Sequence, residues 1–187
     1  TGLVAEYSRR AGWIGLNGSV AISSSSFGEN KEQNFSDPNY SLEFTKKSGR
    51  TTGSLAFSGA RESRADAAVN MRSSSWHYNT DLNVKYPAGI NTFTGHLGYS
   101  NRKYIDNTVF ANLATYTAAM DMIHILPEER ELIAGYRYRF SETSRSTSTT
   151  DHAATLGISG KLIRGFVGSI LPLLIGQNND GVFEKFS

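Results

Sequence analysis

Apolar and polar side chains alternate along most of this chain with a period of two, the period of an extended strand whose successive side chains point to opposite faces. The pattern is clearest between Glu131 and Leu162, where it occurs twice around a polar stretch. Leu132, Ala134, Tyr136, Tyr138 and Phe140 alternate with Gly135, Arg137, Arg139 and Ser141. After the polar stretch, Ala154, Leu156, Ile158 and Leu162 oppose Thr155, Gly157, Ser159 and Lys161. The tyrosines therefore share one face of their strand and the arginines the other.

The same reading extends to the rest of the chain. Residues 2–10 carry a weaker signal in Leu3, Ala5 and Tyr7, and residues 13–23 set Ile14, Leu16, Val20 and Ile22 against Asn17, Ser19 and Ser23. Ser24 to Pro38 is polar and reads as a long loop. Tyr40, Leu42 and Phe44 then oppose Ser41, Glu43, Thr45 and Lys47, Ser48-Gly49-Arg50 marks a turn, and residues 51–60 return with Leu55 and Phe57 on one side. Charged Arg61 to Asp66 reads as a connection. Ala67, Val69 and Met71 alternate with Asn70 and Arg72, and Ser73-Ser74-Ser75 fits a turn or the centre of a small-residue strand. Between residues 76 and 86 the alternation is regular, with Tyr78, Thr80, Leu82, Val84 and Tyr86 against His77, Asn79, Asp81, Asn83 and Lys85. After the turn at Pro87-Ala88-Gly89, Phe93, Gly95, Leu97 and Tyr99 oppose Thr94, His96, Gly98 and Ser100. In residues 108–126 the parity slips near Ala118 and Ala119, which predicts a bulge or a short helix. Pro127 to Arg130 closes that segment. Ile163 to Gly176 is the most continuously apolar part, but its Pro172 argues against a central strand, and the last residues read as turn-like.

These segments predict an all-β chain: an antiparallel up-and-down meander of about ten strands, a β-barrel occupying residues 1–187 as a single domain or as part of a larger barrel. No word recurs at a fixed period, so solenoid and propeller repeats are excluded. The chain contains no cysteine, which removes disulfides, thiolate metal sites and thiol nucleophiles. Its 19 basic and 17 acidic residues nearly balance, without the dense basic stripe of a nucleic-acid binder. Mean hydropathy is low and no apolar run is long enough for a transmembrane helix, a test to which barrel strands are blind. The opening residues lack the basic-then-apolar pattern of a signal peptide.

The apolar face either packs inward, as in a soluble barrel or sandwich binding a ligand or protein, or meets lipid. Few Lys and Glu, a polar face rich in Ser, Thr, Asn and Gly, and aromatics near strand ends (Tyr40, Tyr78, Tyr86, Tyr99, Tyr136, Tyr138, Trp76) favour a transmembrane barrel with interfacial girdles. The words LIAGYRYRFSETS and DHAATLGISGKL, in the last third of the chain, resemble late hairpins of Gram-negative outer-membrane β-barrels. The likeness is to porin-type proteins that accompany multihaem cytochromes and to barrels of exopolysaccharide export. That resemblance implies an outer-membrane location, contact with membrane lipid, and a passive polar-lined pore or a sheath for a periplasmic or outer-membrane protein partner. The ending FEKFS departs from the terminal aromatic common in such barrels.

On this reading the polar-face residues Glu43, Arg72, Asp81, Lys85, His96, Arg137, Arg139 and Lys161 line a lumen, where charge sets ion selectivity. Arg137 and Arg139 stand out, since two guanidinium groups two residues apart need carboxylates, water or anions nearby; Glu43 and Asp81 are candidate partners. No cofactor is expected. The four histidines, 77, 96, 124 and 152, have no metal-ligand spacing and read as polar-face or loop residues. His96 and Ser100, on one strand, stand about 13 Å apart, too far for nucleophile activation, and the chain reads as a non-enzyme, with a barrel-embedded hydrolase as the remaining alternative.

Overall fold

The computed structural model describes residues 2–28, 34–66, 71–105, 110–145, 147–163, 166–170, 173–179 and 182–186, with side chains of 65–72 and from 161 onward outside the description. Among these residues the alternation becomes twelve strands: β1 (Gly2–Ala11), β2 (Ile14–Ser25), β3 (Phe35–Lys46), β4 (Thr52–Asp66), β5 (Met71–Ala88), β6 (Asn91–Tyr104), β7 (Leu113–Leu126), β8 (Arg130–Thr143), β9 (Thr149–Ile163), β10 (Phe166–Ile170), β11 (Leu173–Asn179) and β12 (Val182–Phe186). From β1 to β9 each strand pairs antiparallel with the next, an uninterrupted meander. Beyond it, β10 and β11 both pair with β9, and β12 continues from β11.

Turn chemistry makes the two ends of the sheet unlike. At one end β1–β2 and β5–β6 are joined by the two-residue turns Gly12-Trp13 and Gly89-Ile90, whose glycines have φ of +60° and +66°. A positive φ at the first turn residue lets the hairpin follow the twist of its strands, and glycine adopts it without steric cost. Pro127-Glu128-Glu129 closes β7–β8 at the same end, with both glutamates at positive φ. At the other end the connections span 26–34, 105–112 and 144–148.

Several expected boundaries move. Arg61 to Asp66, expected as a connection, completes β4, and Ser73 to Ser75 lies inside β5. β7 runs in continuous register with both neighbours, so the expected bulge or helix near Ala118 is absent. The apparent slip arises because Ala119 and Ile123 are apolar residues on the polar parity. Residues 67–70, expected as strand, and 108–109 lie outside the described residues, as do 29–33 of the expected long loop. The tail, expected as edge strand, helix or turn, contributes β10, β11 and β12.

Register shows why the faces matter. On one side Phe44, Leu55, Leu82, Leu97 and Ala118 form a row of direct partners, beside a second row of Leu42, Phe57, Thr80, Tyr99, Tyr116 and Phe140. No large apolar side chain among the described residues is buried, and Leu97, Met120 and Leu156 are 56%, 58% and 60% exposed. A water-soluble sandwich or barrel needs these side chains inside. Here the apolar layer faces outward, and nothing among the described residues covers it.

Candidate functional site on the hollow polar face

The opposite side of the sheet is polar and hollow. Two cavities of about 650 and 660 Å³ open on it, the first across β6 to β9 and the second across β3 to β7, with His96 and Asp121 bordering both. Strand parity aims the described odd-numbered side chains of β5, β7 and β9 toward this side, and register lines them up across the sheet. One row reads Asn17, Glu43, Ala56, Asp81, Gly98, Thr117, Arg139 and Asp151. The next reads Gly15, Thr45, Ser54, Asn83, His96, Ala119, Arg137 and Ala153.

Six of the eight lumen candidates, Glu43, Asp81, Lys85, His96, Arg137 and Arg139, thus stand on this face. Arg72 pairs with Ala65 in the backbone, within a β5 that is continuous from Met71. Lys161 follows Gly160 and pairs with Val167 in the backbone. The side chains of Arg72 and Lys161 lie outside the described residues.

The arginine pair is split. Arg139 donates from Nε to Asp151 Oδ2 at 2.6 Å and forms an ion pair with it, because β8 and β9 place residues 139 and 151 directly opposite. Its expected partners are engaged elsewhere: Asp81 lies 3.9 Å from His96 Nε2, and Glu43 Oε2 accepts from Asn17 at 3.5 Å. Arg137 stands between Ala119 and Ala153, which leave space on both sides of it. Toward the longer-loop end, Arg102 pairs with Glu62 at 3.2 Å, and His77 Nε2 lies 3.1 Å from Ser100 Oγ. Asp151, Asp121, Glu62 and Arg102 escaped sequence reasoning. Their parity was legible, but their neighbours depend on cross-strand register.

Two histidines are elsewhere than expected. His124 and His152 lie on the apolar parity, where His124 Nδ1–H donates to Asn91 Oδ1 at 2.7 Å and the Tyr136 hydroxyl hydrogen-bonds His152 Nδ1 at 2.6 Å. One ring nitrogen of each is satisfied within the sheet, which lowers the cost of placing imidazole among apolar neighbours. Among the described residues no group of three or more His, Asp or Glu could hold a metal.

No protein-family model matches the chain, and no curated protein matches it in sequence. Solved structures do match. Outer-membrane expressed OmpT of Vibrio cholerae superposes with a TM-score of 0.62 at 11% identity, over 94% of this chain and 54% of that one. In-vitro folded OmpT of Vibrio cholerae, an outer-membrane protein in its trimer form, gives 0.60 at 12% identity, over 97% and 58%. The chain spans a little over half the length of these structures.

At such identity the likeness is one of fold: an antiparallel meander shared with outer-membrane β-barrel proteins. The expected outer-membrane location accords with it. The cytochrome and polysaccharide-export association has no support among these matches. The reading of the chain as a non-enzyme is withdrawn. Its neighbours share a fold, which is compatible with catalytic and non-catalytic roles alike. The His77–Ser100 contact across β5 and β6 is also one that spacing within a single strand does not reveal.

Proposed function

We propose that the chain forms the wall of a passive, water-filled pore across the outer membrane, with the hollow polar face as the lumen and the apolar face toward lipid. The observation that carries this reading is the apolar layer left uncovered on one side of a sheet whose other side is polar and hollow. In lipid that layer is solvated as it stands; in water it would have to find a cover. Tight turns at one end and longer connections at the other match the periplasmic and extracellular ends of outer-membrane barrels, so the end of the sheet opposite the Gly12-Trp13 and Gly89-Ile90 turns is the one toward the cell exterior.

The lumen carries both signs of charge. Asp81, Asp121 and Asp151 intersperse with Lys85, Arg137 and Arg139 rather than segregating by sign. A pore of this kind passes small ions of either sign with weak preference. Reconstitution into planar bilayers tests the reading: stepwise ohmic conductance is expected, with a reversal potential close to zero in a salt gradient. Protein that is folded and inserted yet electrically silent overturns it, as does a chain that stays folded and monodisperse without detergent.

A further inference from the structure

We propose that the cavity between β6 and β9 is a subsite for small zwitterionic solutes, amino acids or short peptides that carry an ammonium and a carboxylate together. The proposal rests on the pore reading and names a solute class for it. Two charges of opposite sign border this cavity, Arg137 from β8 and Asp121 from β7, and the ion pairs formed among the described residues include neither. Their neighbours keep them separate. Arg137 faces Ala119, not Asp121, because the direct partner of Asp121 is Gly135. The missing side chain of Gly135 lets the Asp121 carboxylate lie over bare backbone, in space that a Cβ would occupy. The two charged residues are thus diagonal neighbours, with Cα atoms roughly 7–8 Å apart.

The other charges at the cavity are already neutralised, since Arg139 is held by Asp151. What remains is one guanidinium and one carboxylate with room between them, in a volume of about 650 Å³, within the range of small-molecule sites. A simple anion gains from Arg137 but is repelled by Asp121, and a simple cation meets the reverse. A zwitterion satisfies both at once, replacing water on each with a charge-assisted hydrogen bond. Ala119 and Ala153, on either side of Arg137, leave the guanidinium open to an approaching carboxylate.

The test uses the protein in detergent micelles and three probes: diglycine, N-acetyl-diglycine, which lacks the ammonium, and diglycine amide, which lacks the carboxylate. Binding is followed by saturation-transfer NMR, which does not depend on conductance. Blocking either terminus is expected to weaken binding about tenfold. Asp121→Asn should weaken diglycine and abolish its advantage over N-acetyl-diglycine, while Arg137→Gln should abolish its advantage over the amide. Asp121→Asn is isosteric and Arg137→Gln keeps a polar side chain on a face open to water, so both leave the fold in place, checked by the gel shift of the heated and unheated protein. Equal binding of all three probes, or loss of binding without the matched pattern, overturns the subsite. A conducting pore with no charge-matched binding sinks the subsite and spares the pore; binding without conductance sinks the pore and spares the subsite.

Discussion

Asp151 shows how much a single carboxylate does on the hollow polar face. It accepts from Arg139 and cancels one of the two guanidinium charges that the alternating pattern places side by side. Asp151→Asn is therefore expected to leave Arg139 unpaired and to move the reversal potential toward anion selectivity, while Asp151→Ala/Arg139→Ala returns it toward the parent value. Selectivity unchanged in Asp151→Asn would show that this pair does not face the conduction path. The side of the sheet for Arg139 was legible from its neighbours Tyr138 and Phe140, because parity is a local property. Its partner was not, because residues 139 and 151 meet only through the register of β8 on β9, and the polar stretch between those strands gives no turn signal that fixes it. The same limit hid Asp121 beside Gly135 and His77 beside Ser100. The continuity of β5 was hidden for a different reason: Ser73, Ser74 and Ser75 broke the apolar rhythm, so a strand that runs through them looked like two.

At the scale of elements, β6 and β7 offer a direct test of which face meets lipid. Leu97 sits on the apolar side between Leu82 and Ala118, whereas Thr117, opposite Gly98, faces the hollow. Leu97→Arg should cost about 2–4 kcal/mol of folding free energy in a bilayer, because a guanidinium near the midplane must be dehydrated or snorkel away. Thr117→Arg, one residue from the same row, should cost less than about 1 kcal/mol in a water-filled lumen. Urea titration of folding into lipid vesicles reads both, and equal penalties would put lipid on neither face or on both. β9 carries a second test of the backbone. Gly160 has φ of +111° and a Cβ there would run into the backbone of Glu129 and Arg130, so Gly160→Ala should destabilise by about 1–3 kcal/mol. Strand existence was readable throughout β1 to β9, and strand ends were not, since charged stretches such as Arg61 to Asp66 read as loops when they protrude beyond the apolar band.

For the molecule as a whole, dimensions and edges decide whether the sheet can live in a membrane. Trp76 and Tyr86, ten residues apart on the apolar side of β5, mark the ends of its apolar stretch. At about 3.3 Å per residue and a tilt of about 40° they stand about 25 Å apart along the membrane normal, the height of an outer-membrane barrel's apolar band. Tyr40 and Tyr78 lie near the upper level and Phe93, partner of Tyr86, at the lower one. This agreement sets the depth but leaves the rims: among the described residues β1 and β12 end the path of the sheet, β10 pairs with β9 alone, and half the backbone groups of β1 point away from β2. Hydrocarbon contains no water to satisfy them, at several kcal/mol for each unpaired group, so in a bilayer that edge must hydrogen-bond to another strand, whether from this chain or from a neighbour. Hydrogen exchange on the protein in lipid vesicles puts this to the test. The outward amides of β1 between Leu3 and Arg9 are expected to exchange as slowly as those of β2 in lipid and to become fast in a detergent that disperses the chain. Rapid exchange of that edge in lipid, with β2 to β9 protected, would mean that β1 lies outside the bilayer and that the membrane-embedded wall begins at β2.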